Sequence, residues 1–273
     1  NYVPISAGTN LSNYVTMNVG DLKNTGMEFS VNAVPIQTRN WNWNVGYNIS
    51  WNKNKITKLT QSDDPDYLGV ATGGISGGVG NDVQLQKVGC ATNSFYVFQQ
   101  VYDKNGNPIE GAYVDRNGDG QINDKDKYIC HHAAPDVLMG FNTSLSWKKW
   151  TISAAARASI GNYVYNNVAS NYEMKADMWT NNFIANRLSS AIATNFNQAQ
   201  YLSDYYIKNA SFLKLDRITL SYQAANWVNV HATMQNVFTI TKYKGLYPEV
   251  FSGIDNNMYP RPKTFLLGAT FNF

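Results

Sequence analysis

The sequence predicts an all-β protein, a portion of a transmembrane antiparallel β-barrel that carries long extracellular loops. Three features of the chain point there. Residues 265–273 alternate strictly, with Phe265, Leu267, Ala269, Phe271 and Phe273 on one face and Gly268, Thr270 and Asn272 on the other. The same period of two recurs upstream in segments of about ten residues, the length a tilted strand needs to cross hydrocarbon while showing lipid one apolar face. The connections between these segments alternate between very short and very long, as they do in bacterial barrels.

Taken in order, the pattern gives seven strands. The first covers 25–35, with Met27, Phe29, Val31 and Ala33 opposite Glu28, Ser30 and Asn32. The second, 41–52, sets Trp41, Trp43, Val45, Tyr47, Ile49 and Trp51 against Asn42, Asn44, Gly46, Asn48, Ser50 and Asn52 without an error. In the third, 137–147, Val137, Met139, Phe141, Leu145 and Trp147 fall together. In the fourth, 151–160, Ile152, Ala154, Ala156, Ala158 and Ile160 oppose Thr151, Ser153, Arg157 and Ser159. The fifth, 212–222, breaks the rule: Ile218, Leu220 and Tyr222 keep phase with Lys214 and Asp216, charges that are costly in lipid. A bulge or an exit from the membrane is therefore expected near Asp216. The sixth, 228–238, places Val228, Val230, Ala232, Met234 and Phe238 opposite Asn229, His231, Thr233 and Gln235, and the closing residues 265–273 are the seventh.

The short connections are Gln37-Thr38-Arg39-Asn40, Lys148-Lys149 and Ala224-Ala225-Asn226, whereas 58–136, 163–210 and 241–263 are long excursions read as extracellular loops. With Phe273 at the periplasmic side, every short turn falls on that side too. An odd number of strands that begins by descending does not make a whole single-chain barrel, and an open first strand would turn unpaired backbone groups toward lipid. The chain, 1–273, is expected to be the C-terminal portion of a larger barrel, an expectation that its start at Asn1 without a signal sequence also fits.

Composition agrees. Charged residues make up 15% of the chain, against about 25% in ordinary soluble domains. The mean hydropathy of -0.36 does not argue against a membrane, because barrel strands turn half their residues to a polar lumen. No run of apolar residues is long enough for a spanning helix, and a net charge of +3 is too small to point to nucleic acid. Aromatics at 14% suit interfacial girdles and sugar-stacking surfaces alike.

Five segments stand out in order along the chain: Asn18-Val19-Gly20-Asp21-Leu22-Lys23-Asn24-Thr25-Gly26-Met27-Glu28, Asp115-Arg116-Asn117-Gly118-Asp119-Gly120-Gln121-Ile122-Asn123, the run from Ser211 to Tyr222, Tyr247-Pro248-Glu249-Val250, and the strand ending in Phe273. Together and in this order they resemble the C-terminal third of the SusC/RagA-type TonB-linked outer-membrane transporters. The resemblance implies a barrel of roughly 22 strands with an N-terminal plug, of which this chain holds the last seven. It further implies a bacterial outer-membrane location, a SusD-like surface lipoprotein acting as a lid, and import of glycan fragments or peptides driven by TonB. TonB contact would be made through the missing N-terminal part. Phe273 resembles the terminal aromatic that the barrel-assembly machinery reads.

The sharpest local motif runs from Asp115 to Asp126. It matches an EF-hand loop, with Asp115, Asn117, Asp119, the Gln121 carbonyl and Asp126 as oxygen ligands and Gly120 at the sharp turn. Such spacing suits a structural Ca²⁺, or Mg²⁺, since the shorter Asp126 stands where a bidentate glutamate is usual. The same residues also read as an Asn-Gly/Asp-Gly turn held by side-chain-to-backbone bonds. Cys90 and Cys130 flank this motif in the first loop. They form either a disulfide, which would contribute about 3 to 4 kcal/mol in a loop of about 40 residues, or two buried thiols.

Substrate contacts are not assigned from the sequence. Tyr67, Phe95, Tyr96, Phe98, Tyr102, Tyr163, Tyr165, Tyr172, Trp179, Tyr205, Tyr206, Tyr243, Tyr247 and Tyr259 lie in or near the loops, where they either stack on sugars or pack the loops together. Glu28, Arg157 and His231, on lumenal faces, are expected to solvate the channel or touch the plug. Residues 69–80, rich in glycine but lacking a phosphate-loop lysine, read as a flexible loop. No nucleophile–base or paired-carboxylate arrangement has supporting context, so no enzyme is expected. Two other readings stay open: a secreted carbohydrate-binding β-sandwich with a dockerin-like calcium loop, and a siderophore-type TonB-dependent receptor.

Overall fold

The computed structural model describes residues 2–4, 14–16, 18, 20–60, 67–77, 80–176, 178–180, 183–256 and 259–272. Seven long strands form one antiparallel sheet: β1 (Asp21–Gln37), β2 (Trp41–Lys58), β3 (Val137–Trp147), β4 (Trp150–Ile160), β5 (Phe212–Ala225), β6 (Val228–Thr241) and β7 (Thr264–Phe271). Their order across the sheet is their order along the chain, a simple meander of the kind that builds barrels. The strands outrun the alternating cores read from the sequence because β1 and β2 continue above the apolar rows with lysine and asparagine. Phe273 lies outside the described residues.

Register decides what the faces are. One row runs Val31, Tyr47, Phe141, Ala156, Leu215 and Phe238 from β1 to β6, and another runs Ile36, Trp43, Leu145, Ile152, Leu220, Ala232 and Leu267 through all seven strands. The opposite face is polar, with Gln37, Asn42, Ser146, Thr151, Ser221, His231 and Gly268 in one row. No second sheet covers the apolar rows among the described residues: Met27 is 75% exposed, Phe265 74% and Leu267 90%. Such a surface is unfavourable in water and suited to hydrocarbon, so the sheet is a barrel wall and not half of a sandwich.

At the short-turn end of the wall Trp41, Trp147, Trp150 and Tyr222 occupy one row, the Trp41 and Trp147 rings 5.7 Å apart and the Trp150 and Tyr222 rings 4.5 Å apart. Indoles at one height mark a membrane–water interface. The hairpin at Lys148-Lys149 is tight, with Lys148 at φ 51, and the third turn falls at Asn226-Trp227, since β5 extends to Ala225.

The expected irregularity in β5 is a bulge at Asp216. Leu215 pairs with Ala156 and Arg217 with Ala155, leaving Asp216 as the extra residue between them. On the other side Leu215 meets Phe238 and Arg217 meets Gln235, with Asn236 at φ 53 completing the kink. The extra residue restores phase: Leu213 and Leu215 join Ile218 and Leu220 on the lipid face, while Lys214 pairs with Arg157 on the lumenal one.

The well-packed core lies in the loops. The largest fully buried side chains include Tyr165, Tyr206, Phe95, Phe196, Leu85 and Val83, none of them in β1 to β7. The first loop forms its own four-stranded sheet from Val70–Gly74, Asp82–Gln86, Ser94–Val97 and Tyr128–His132. Thus part of the glycine-rich stretch, expected to be a flexible loop, is a paired strand. The second loop adds the strand pair Tyr163–Tyr165 with Ile207–Asn209 and the helix Asn167–Tyr172. Together they make a cap, joined through the buried cluster of Phe95, Val97, Tyr165, Phe196, Tyr206 and Ile254.

Candidate functional site

The lumenal face of β4 and β5 carries an ion network that fastens the third loop into the channel. Arg157 on β4 donates through both terminal nitrogens to the two carboxylate oxygens of Glu249, at 2.5 and 2.8 Å, and its Nε lies 2.9 Å from Asp216 at the bulge. Lys214, nearly buried, donates to the Tyr247 hydroxyl at 2.9 Å, and that hydroxyl donates to Glu249 at 2.6 Å. A two-pronged guanidinium–carboxylate contact fixes direction as well as distance. The bulge is what brings Asp216 into the set.

Glu249 belongs to the loop, and its carboxyl is held below the usual glutamate range. Burial alone would raise it; the Tyr247 hydrogen bond and the Arg157 charge outweigh that. Burial and the bond to Glu249 push the Tyr247 hydroxyl up to about 12. Beside the network, β5, β6 and the segment entering β7 line a lumenal concavity of about 500 Å³ with Lys214, Asp216, Arg217, Gln235, Asn236 and Arg261. Charged and amide groups of this kind can hydrogen-bond a polar group that enters the concavity.

The loop from Asp115 to Asp126 closes on its own backbone. Asp115 accepts from the amides of Gly118 and Gly120 at 2.7 and 2.8 Å, Asn117 from that of Asp119, and Asp119 from that of Gln121. Gly118 and Gly120 sit at φ 74 and 79, where a side chain would be strained. Asp126 is fully buried and accepts from the amides of Asn123, Arg116 and Asn117. Those bonds, that of Asn123 first, hold its carboxyl below the usual range against its burial. The donors are of the hard oxygen type a Ca²⁺ site uses. Among the described residues no three Asp, Glu, His or Cys side chains cluster closely enough to hold an ion by themselves.

Cys90 and Cys130 are separate free thiols. Cys130 lies in the strand opposite Phe95, and burial, with the Asp204 charge adding to it, pushes its thiol up to about 12. Of the loop aromatics, Phe95, Tyr165, Tyr206 and Tyr243 are buried in the cap, while Tyr67, Tyr102, Tyr172, Trp179 and Tyr259 are exposed. Arg157 lies on the lumenal face, as its phase in β4 predicts, and meets the third loop there through Glu249. Opposite charges in Lys214, Asp216, Arg157 and Glu249 were visible in the sequence, but nothing in it said that Glu249 lies beside β4.

No family model matches the chain. Over its full length the chain is 50% identical to the TonB-dependent receptor SusC of Bacteroides thetaiotaomicron, of which it spans 28%. Over 94% of its length it is 27% identical to the TonB-dependent receptor P3 of Formosa agariphila, spanning 29% of that protein. Among solved structures, the RagAB peptide transporter matches 99% of this chain and 31% of its own, with a TM-score of 0.71 at 23% identity, a likeness of fold. The chain thus spans less than a third of the length of these curated relatives.

Proposed function

The chain belongs to the SusC/RagA-type TonB-dependent receptors of the bacterial outer membrane, as a C-terminal portion of their barrel, and from that premise we propose that the whole protein imports glycan fragments or peptides. The 50% identity with SusC across the full chain is the observation that carries this reading. A polar lumen lined by Asn, Ser and Thr rows, with a concavity offering Arg217, Gln235, Asn236 and Arg261, supports a hydrogen-bonding cargo. RagAB is a peptide transporter, which keeps peptides beside oligosaccharides as cargo.

In this proposal a SusD-like surface lipoprotein closes the cap side, TonB acts through polypeptide outside this chain, and the protein is a carrier with no catalytic step of its own. The test is purification of the full-length complex from native outer membranes, with mass spectrometry of bound cargo and uptake assays with and without TonB. Copurified oligosaccharide or peptide, a lipoprotein in stoichiometric amount and TonB-dependent uptake are expected. A bound iron chelate with no lipoprotein would replace the reading with a siderophore receptor.

We also propose that the loop 115–126 takes one structural Ca²⁺, or Mg²⁺, supported by the spacing and type of Asp115, Asn117, Asp119, the Gln121 carbonyl and Asp126. Asp126 already accepts three amide bonds, and its second carboxylate oxygen, which takes only one of them, keeps a lone pair for the ion. The ion would stiffen the first loop.

A further inference from the structure

On the outward face of β1 and β2, just above the row formed by Met27 and Trp51, Thr25 stands opposite Lys53 and Lys23 opposite Lys55. The register is unbroken between these rows, so Lys23, Lys53 and Lys55 keep the parity of the lipid-facing side chains and not that of the lumen. All three are exposed, and among the described residues none is in an ion pair.

They do not stand on a flat wall. Residues 89–91 run beside β2, where the Gly89 amide donates to the Ile56 carbonyl at 2.8 Å and the Ile56 amide to that of Cys90 at 2.9 Å. Asp136 is held the same way, its carbonyl accepting from the Asn52 amide at 3.2 Å. These segments enclose a concavity of about 420 Å³ lined by Lys23, Trp51, Lys53, Lys55, His132 and Asp136. Asp136, the carboxylate in the lining, faces His132 at 3.8 Å, which leaves the three ammonium groups in excess.

Like charges gathered in one recess repel unless an anion joins them, and their height selects which anion. They sit at the end of the hydrocarbon band opposite the tryptophan-rich short-turn end, above an exposed apolar wall of Met27, Phe29 and Trp51. That is where lipid headgroups meet acyl chains, and basic recesses at that level attract anionic lipid. We infer that this recess binds the phosphorylated headgroup of an outer-leaflet glycolipid, with Lys23, Lys53 and Lys55 on the phosphate and Met27 and Trp51 along an acyl chain. The inference rests on the outer-membrane barrel reading above.

The test takes the full-length transporter in detergent micelles, titrated with diphosphoryl lipid A, with its dephosphorylated form and with inorganic phosphate, and read by native mass spectrometry. Preference for diphosphoryl lipid A is expected, with about a hundredfold weakening in Lys23→Gln/Lys53→Gln/Lys55→Gln, since one lysine near a lipid surface contributes about fivefold. The corresponding triple arginine variant should bind as the parent does, and so should Lys104→Gln, a change in an exposed turn of the first loop. Equal lipid binding by parent and triple glutamine variant would overturn the inference, as would inorganic phosphate competing as well as the lipid. Heat-modifiable gel migration on the same samples separates site from fold. A variant that keeps the shift but loses lipid supports the site; a parent with no shift overturns the barrel reading and the inference with it.

Discussion

Arg157 on β4 and Glu249 in the third loop meet through two parallel bonds of 2.5 and 2.8 Å, 92 residues apart in the chain. This pair ties the Tyr247–Glu249 part of the loop to the lumenal wall, with Tyr247 and Lys214 bracing it. Removing the arginine leaves Glu249 half-buried beside Lys214 without its main partner. Arg157→Ala should therefore loosen the loop by roughly 2 kcal/mol, the range for hydrogen bonds to charged groups, seen as faster hydrogen exchange across 244–252 with the barrel unchanged.

The same pair sets a pH dependence. Because the carboxyl of Glu249 is depressed in the folded state, its contribution is fully present above its ordinary value of 4.5 and is lost as pH falls through the depressed one. Protection of the loop should be flat at neutral pH and decline only in acid below the ordinary glutamate range. Glu249→Gln should start lower and lose this acid limb; an unchanged limb in that variant would assign the effect to another group.

Neighbouring residues of β3 face different solvents. Phe141 lies in an apolar row and Ser144 in a polar one, paired with Asn44 and Ser153. Phe141→Arg should cost roughly 2 to 4 kcal/mol near the bilayer midplane, whereas Ser144→Arg should be tolerated. Folding yield in liposomes, scored by heat-modifiable migration, distinguishes the two.

For the acidic loop, Asp115→Ala should lower bound Ca²⁺ and increase proteolysis within 112–128 while the barrel persists. The variant also loses the acceptor for the Gly118 and Gly120 amides, so calcium content, and not loop stability alone, is the deciding measurement. Identical metal content in parent and variant means the loop is a turn and no more.

Packing of the cap can be probed at Gly253. It sits at φ 75, and a methyl group there would approach the Ala133 Cβ to 2.4 Å. Gly253→Ala should cost at least about 1 kcal/mol and expose the loops to trypsin, leaving the barrel's gel shift intact.

With two free thiols, migration on non-reducing gels should match that on reducing gels. Cys130, its thiol pushed up to about 12, should resist maleimide at pH 8 until the cap is unfolded.

The wall was readable from the sequence because each of its residues answers to one local rule: Trp41 to Trp51 alternate, and a single out-of-phase pair, Lys214 and Asp216, was enough to locate the bulge. Long-range partners were not readable. Strands such as Asp82–Gln86 and Ser94–Val97 are short, buried on both faces and stabilised by neighbours from a different loop, so period two hardly shows in them. Aromatics in the loops likewise carry no mark that separates Tyr206, deep in the cap, from Tyr259, 90% exposed. Spacing alone located the acidic loop, but gave no hint that Asp126 turns to the amides of Arg116, Asn117 and Asn123.

The ring of Trp41, Trp147, Trp150 and Tyr222 gives the wall a fixed floor and a soft ceiling. Each residue of a strand rises roughly 3.4 Å, so a slip of even one pair would pull several indoles out of the interface they favour. At the opposite rim the corresponding row holds a single indole, Trp51, beside Met27, Val137 and Ile160, and above it stand flexible lysine stems, which can reach up or down by a similar distance. A bilayer that thickens or thins should therefore be accommodated at the outer leaflet alone, and the turns on the inner side should stay at one depth whatever the acyl-chain length.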